Sequence, residues 1–429
     1  QARQSGQTGG LSGLRPPRVN GRRLGPAVWA LLDQAVVSAS NFLSGVLIAR
    51  SLHAEGLAAY SLAVTSVFGL FTVHRALIAQ PFNILGVQES VARRWGRFQN
   101  MMRAQWVVLP VTCAVLALVG AWFFPRWALV VGGMLYVTLY CLQEIVRRFH
   151  YTDGQIVRAL PGDVLGYGGQ LLALLCAWQT DTLSIDTVLW WMSVPLGLAT
   201  TWMYFGIRRE HTQPVADATP AAGAELAGHW DFAKWVVLSQ LVWIGATQLI
   251  PFQLSIFAAP DAVAAFYAAN TLMNGLNVIR LTMGNYLPTR AAAILAADGK
   301  LALRRYLWRV GAGVLVMSAV GWLAVWWLGG WAVALIFSGK YPQAGVILPT
   351  LAPVNLLALL ALVFAAGAQI LGVSRVMFTS NLLAMCLCLA AGPWLASHEG
   401  LWGAVAISAI GLLLPTLMQG IQVNRALKS

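Results

Sequence analysis

The sequence predicts an all-α polytopic membrane protein, and three observations predict it. Hydrophobic residues make up 58% of the 429 and charged residues only 10%, whereas soluble domains carry about 25% charged residues. Apolar runs repeatedly exceed the ~18 residues that read as a membrane crossing. Many of the 19 tryptophans end such runs, as Trp29, Trp127 and Trp402 do, which is where an interfacial aromatic belt sits. A transmembrane β-barrel would instead show alternating segments of about 10 residues, and that pattern is missing.

At about 20 residues per crossing, twelve helices are expected: 27–50, 57–80, 104–124, 127–149, 159–178, 186–206, 231–257, 262–286, 306–328, 345–372, 376–396 and 401–424. Residues 329–344 either extend the ninth helix or dip back into the membrane. With the N-terminus placed inside, the inside segments hold 22 of the 28 Lys and Arg, while outside loops hold little beyond Arg126 and Lys340. The outside loops carry Glu55, Asp181, Asp186, Asp261 and Glu399. This bias follows the positive-inside rule and places both termini in the cytoplasm, with the chain in the cytoplasmic (inner) membrane. It also accounts for the net charge of +13 without nucleic acid, through anionic lipid at the inner surface. Residues 1–26 read as a basic, disordered cytoplasmic tail rich in Gly, Arg and Pro, and 88–103 as an interfacial amphipathic helix.

The long polar stretch 207–230 divides the chain six helices plus six: an N-lobe at 27–206, a cytoplasmic linker at 207–230 and a C-lobe at 231–429. The halves repeat. Gln34 in the first helix has a counterpart in Gln240 of the seventh. A shift of 205 sets Thr65 on Asn270, Gly69 on Asn274, Thr72 on Asn277 and Arg75 on Arg280. Steps of 4, 3 and 3 keep each set on one helical face. Both halves start from the same side, so the repeat is parallel, with its axis along the membrane normal.

Arg75 follows a long apolar run in TVHRALIAQPF. A snorkelling arginine is one reading, since Arg75 lies only about 7 Å from the span's inner end by helical rise. The matched small or polar stripe ending at Arg280 favours a second reading, two cations facing an internal cavity. Gln34, Asn41, Gln240, Asn270, Asn274 and Asn277 could line such a cavity, or join helices across lipid. Asp33 and Glu144 are acids within spans and could carry a coupling proton or cation. Equally, Asp33 could pair with a nearby base, and Glu144 with Arg147 and Arg148 at spacings of three and four. His74 reads as structural. Cys386 and Cys388 point to different faces of one helix, so no metal or redox site is expected. No GxxxxGK[ST], HExxH or GxSxG occurs, so neither an ATP-driven pump nor one of the common hydrolases is expected, nor any cofactor.

The stretch LLDQAVVSASNFLSGVLIARSL resembles the opening helix of Wzx-type polysaccharide flippases of the multidrug/oligosaccharidyl-lipid/polysaccharide (MOP) superfamily. RRFHYTDGQIVRALPGDVL, FSGKYPQAGVILPTLAP and GAQILGVSRVMFTSN are similar to it at their places along roughly 27–425. Twelve spans match this family, whereas lipid II flippases usually carry fourteen. The resemblance implies two six-helix lobes around a central cavity, alternating access, and a polyprenyl-pyrophosphate-linked oligosaccharide as cargo for polysaccharide export. It also implies membrane lipids and polysaccharide polymerase or export proteins as partners, and a non-enzymatic monomer. Arg75 and Arg280 best fit the cations that engage pyrophosphate, since a guanidinium grips anionic oxygens two at a time. The amides suit a sugar. An ion-coupled multidrug antiporter of the same superfamily is the rival, though a cationic drug favours an acidic cavity. A membrane glycosyltransferase is disfavoured by the short outside loops.

Overall fold

In hydrocarbon every backbone N–H and C=O must find a partner inside its own segment, which leaves helices for a chain with this hydropathy. The computed structural model describes residues 26–86, 89–153, 155–211, 222–373 and 375–428, and no strand occurs among them. Twelve crossings result. They are α1 (Pro26–Ser51), α2 (Ala54–His74, a π turn Arg75–Ala79, then Gln80–Gly86), α3 (Val91–Phe123), α4 (Trp127–Thr152), α5 (Leu160–Gln179) and α6 (Val188–Glu210). The second half holds α7 (Ala222–Thr247, bending by 42° into Ile250–Phe257) and α8 (Pro260–Met273, a 3-10 turn Asn274–Leu276, then 277–298). It continues with α9 (300–336), α10 (Pro342–Leu357 and Leu360–Ile370), α11 (375–399) and α12 (401–426). Among the described residues eight helices qualify as spans by length and hydropathy alone, or nine with the bent pair; α11 and α12 count there as one helix, and α6 and α8 do not pass.

Two of those breaks rest on glycine. Gly299 (φ 77°) and Gly400 (φ 51°) each join two helices at a kink, and only glycine takes such a left-handed conformation cheaply. The chain doubles back at Gly400: Cys388 Sγ reaches Ile407 O at 3.6 Å and Gln419 Nε2 reaches Ser380 Oγ at 3.3 Å. A Cβ on Gly403 would strike the Leu395 carbonyl, so the hairpin needs that glycine too. Prolines set the remaining bends. Pro251 opens the second segment of α7. Pro81 follows the π turn of α2, whose wider loop relieves the clash a proline makes with the carbonyl four residues back.

Several expected boundaries move. Residues 329–344 do not dip back: α9 runs on to Ile336, and a short turn leads into α10 at Pro342. The amphipathic 88–103 segment is continuous with α3 from Val91. Helices enter the expected linker from both sides, α6 to Glu210 and α7 from Ala222, and 212–221 lie outside the described residues. The basic tail, up to residue 25, lies outside them as well.

The packing defines the two lobes. One hydrophobic core draws on both, joining Leu57, Val67, Tyr136 and Leu196 to Val263, Phe266, Phe337 and Leu351. A second core belongs to the N-lobe alone, with Ile78, Phe98, Ile145 and Met203. A third belongs to the C-lobe alone, with Leu287, Leu303, Val363 and Val423. The lobes therefore share one core toward one end of the helices and separate into two toward the other. Arg75 lies on α2 between Val67 of the shared core and Ile78 of the N-lobe core. Arg280 lies on α8 between Met273 of the shared core and Leu287 of the C-lobe core.

The charge bias predicts which end faces which side. In a background without the native cysteines, single cysteines at Asp181 and Glu399 should react with an impermeant maleimide in intact cells. Cysteines at Arg209 and Asp298 should react only after permeabilisation. The reverse pattern would invert the orientation.

Candidate functional site

Both π turns of the N-lobe, Arg75–Ala79 in α2 and Val164–Gly168 in α5, adjoin charged residues. Arg75 and Asp163, beside these turns, meet the C-terminal third of α4, where Glu144, Arg147, Arg148 and Tyr151 occupy one face. Arg147 is the hub. Its Nη2 donates to Asp33 of α1, its Nε lies 2.7 Å from Asp163 Oδ2 of α5, and its Nη1 lies 3.8 Å from Glu144 Oε2. The Tyr151 hydroxyl donates to Asp33 as well, and its ring lies 5.2 Å from the Arg147 guanidinium carbon. Gln143 Nε2 donates to the other Asp163 oxygen at 3.1 Å. Asp33 and Asp163 have no exposed surface.

Glu144 passes the network on toward α2. Arg148 Nε donates to Glu144 Oε1 at 2.8 Å, as the i,i+4 spacing predicts, and Arg75 Nε lies 3.6 Å from the same oxygen. That nitrogen is buried and makes no hydrogen bond, so the Arg75–Glu144 pair is a charge contact with an unused donor. The Arg75 side chain keeps 41% of its exposure, against 5% for Glu144. Among the described residues, three carboxylates (Asp33, Glu144, Asp163) and three guanidiniums (Arg75, Arg147, Arg148) are linked in this one cluster. Formal charge balances within it, which is the condition for keeping ions in a low-dielectric interior.

The C-lobe repeats the arrangement in a different chemistry. Arg280 Nη2 donates to Asn355 Oδ1 of α10 at 3.0 Å. In the parallel repeat α10 answers to α4. Each arginine is thus met by the fourth helix of its own half, through an acid in the N-lobe and an amide in the C-lobe. Asn355 is buried and also donates to Leu351 O at 3.3 Å, which fixes its amide.

The amides expected to line a cavity fall out unevenly. Gln34 donates to Ser38 Oγ at 3.3 Å, one turn along α1, and Asn41 lies half-buried a turn further on. Gln240 is half-buried on α7. Asn270 spends a donor on its own helix, at Phe266 O, 3.1 Å away. Asn274 is exposed at the 3-10 turn of α8, and the side chain of Asn277 lies outside the described residues. His74 is buried against Gln105 Oε1 at 2.8 Å. Cys386 is exposed and Cys388 buried, both free. Among the described residues no three His, Cys, Asp or Glu side chains are grouped as for a metal ion.

Sequence reasoning missed Asp163, Tyr151 and Asn355. Asp163 carries the same signal that singled out Asp33 and Glu144, an acid inside an expected span (159–178). Tyr151 and Asn355 carry no distinguishing local signal. Arg147, counted toward the inner-surface charge, is an interior residue with 9% exposure.

The chain thus combines twelve helices in two repeated lobes, a buried ion network in the N-lobe and an arginine in each lobe where the shared core ends. Solved structures with the same fold are MOP-superfamily transporters. An inward-facing multidrug resistance MATE family transporter of that superfamily aligns over 95% of this chain and 100% of its own, with TM-score 0.68 and 14% identity. The lipid II flippase MurJ, in an inward closed conformation, aligns over 93% and 87%, with TM-score 0.69 and 9% identity. A Pyrococcus furiosus MOP transporter, whose binding pocket is described as reversed in polarity and suggestive of a different function, aligns over 94% and 95%, with TM-score 0.61 and 13% identity. No protein-family model and no curated protein matches the sequence.

Arg147→Met leaves Asp33 and Asp163 buried without their shared cation. Breaking a buried pair on one side costs about 3–5 kcal/mol, so this variant should lose most folded protein in a detergent thermal-melt assay. Adding Asp33→Asn and Asp163→Asn should recover much of that loss. A melting curve for Arg147→Met unchanged from wild type would show that Arg147 holds nothing together.

Proposed function

We propose that this protein flips a polyprenyl-pyrophosphate-linked oligosaccharide from the inner to the outer leaflet of the cytoplasmic membrane, by alternating access of its two lobes. One observation carries the reading. Arg75 and Arg280 stand at matched places in the repeat, each where its helix leaves the shared core for the core of one lobe. A pyrophosphate between the parting lobes would meet a guanidinium from each side, a geometry that suits two linked anionic groups.

The chemistry follows from this placement. Arg75 has an unused buried donor and a loose contact to Glu144, so it can turn to a phosphate while Glu144 stays bonded to Arg148. Arg280 is steadied by Asn355. In this reading the amides Gln34, Asn41, Gln240, Asn270 and Asn274 offer the sugar a polar path, because its hydroxyls cannot cross hydrocarbon cheaply. The lipid tail stays in the bilayer. Both termini and the basic tail face the cytoplasm.

An ion-coupled multidrug antiporter is the second reading, favoured by the buried acids Asp33 and Asp163 in a fold shared with MATE transporters. Against it, Arg147 already occupies both acids, and a proton or sodium ion would have to displace it. We read Asp33 and Glu144 as resident counter-ions rather than coupling groups.

The test is the sidedness of lipid-linked oligosaccharide in cells lacking the gene. The intermediate should accumulate on the inner leaflet, wild type should clear it, and Arg75→Ala with Arg280→Ala, present at normal level, should clear it about 10- to 100-fold more slowly. That range corresponds to losing one or two charge-assisted hydrogen bonds. If no such lipid accumulates, the antiporter reading takes its place. Full rescue by the double variant would make both arginines bystanders.

A further inference from the structure

We propose that Arg50, Lys340 and Tyr341 form a clasp that holds the lobes shut at the shared-core end, and that its release is the step that opens that end. The inference needs no assumption about the cargo.

The clasp joins two helix ends that should repel. α1 ends at Ser51 and α9 ends at Ile336, one from each lobe. The last carbonyls of a helix lack intrahelical partners, and that end carries the negative pole of the helix dipole. Bringing two such ends together therefore requires donors between them, preferably cationic ones. Arg50, in the last turn of α1, reaches across to the end of α9: its Nε donates to Ile336 O at 2.5 Å and its Nη2 to Leu335 O at 2.7 Å. Lys340, just beyond α9, reaches back and donates to Arg50 O. Each helix thus receives its terminal cation from the other lobe. Between them the Tyr341 hydroxyl lies 3.0 Å from both Ala49 O and Leu52 O, close enough to donate to either.

Two features make this a gate rather than a permanent seam. Arg50 and Lys340 are solvent-exposed, whereas Tyr341 is buried beside the fully buried Phe337. Water can replace the two cationic contacts at modest cost, so the clasp can open. The turn that presents Lys340 is strained: Ser338 (φ 53°) and Gly339 (φ 75°) are both left-handed, a conformation a serine holds only where its surroundings enforce it. The same segment, FSGKYPQAG, has no part in the Arg75–Arg280 region at the other end of the helices.

The experiment measures both ends of the purified full-length protein in lipid nanodiscs by spin-label distances. One label pair, at Glu55 and Asp261, spans the lobes at the clasp end. The other, at Arg209 and Asp298, spans them at the opposite end. Wild type should show a short distance at the clasp end. Arg50→Ala should raise the longer-distance population there about tenfold, and the opposite pair should shorten in the same sample. Tyr341→Phe, which keeps the ring and removes only the hydroxyl, should shift both distances the same way to a smaller extent. If both variants keep the wild-type distributions, the clasp holds nothing. If both ends widen together, the residues merely stabilise the assembly. Either result would overturn the proposal.

Discussion

A charge in hydrocarbon is tolerable only beside its opposite, and the N-lobe is arranged around that constraint. Arg147 sits with 9% exposure on α4 and is neutralised from α1 by Asp33 and from α5 by Asp163. The three helices cannot slide or rotate independently without exposing an ion to lipid. Once α4 is fixed by Arg147, the next turn of the same face sets Glu144 against Arg148 and Arg75. The position of Arg75 is thus a consequence of the pairing of Arg147, two contacts away.

The C-lobe repeats the layout with an amide in place of the acid. Its fourth helix presents Asn355 where the N-lobe presents Glu144. An amide tolerates lipid better than a carboxylate and needs no wider network to support it. The two arginines thus stand at matched places in the repeat, one facing a carboxylate and one donating a charge-assisted hydrogen bond to an amide.

Hydrophobic packing and polar contacts divide the rest of the work. The lobes share one core at one end of the helices and keep separate cores at the other. Apolar packing gives no sharp on–off distinction in a membrane, because lipid tails are as apolar as the side chains they replace. Directional contacts between helix ends, such as those of Arg50 and Lys340, can supply it. The glycines at 299 and 400 turn the chain between helices, and the proline-linked bends set the remaining angles.

Much of this was legible in the sequence, and the limit is physical. Hydropathy and charge bias are sums over neighbouring residues, so they located the crossings and the six-plus-six division. The helical period placed Glu144 against Arg148 because both partners lie on one helix. The sequence could not say that Asp33 meets Arg147, 114 positions away, or that Arg50 meets Ile336, 286 positions away. Local pattern carries no information on which surface of one helix packs against another. Asp163 was visible as an acid in a span, but its partner was not. Asn355 and Tyr341 have ordinary sequence surroundings and gain their roles only from what folding sets beside them. The sequence by itself determined that this chain crosses a membrane twelve times in two related halves. Only the tertiary structure decided which charges neutralise each other and where the two lobes share a core, because pairing across helices depends on packing rather than on order along the chain.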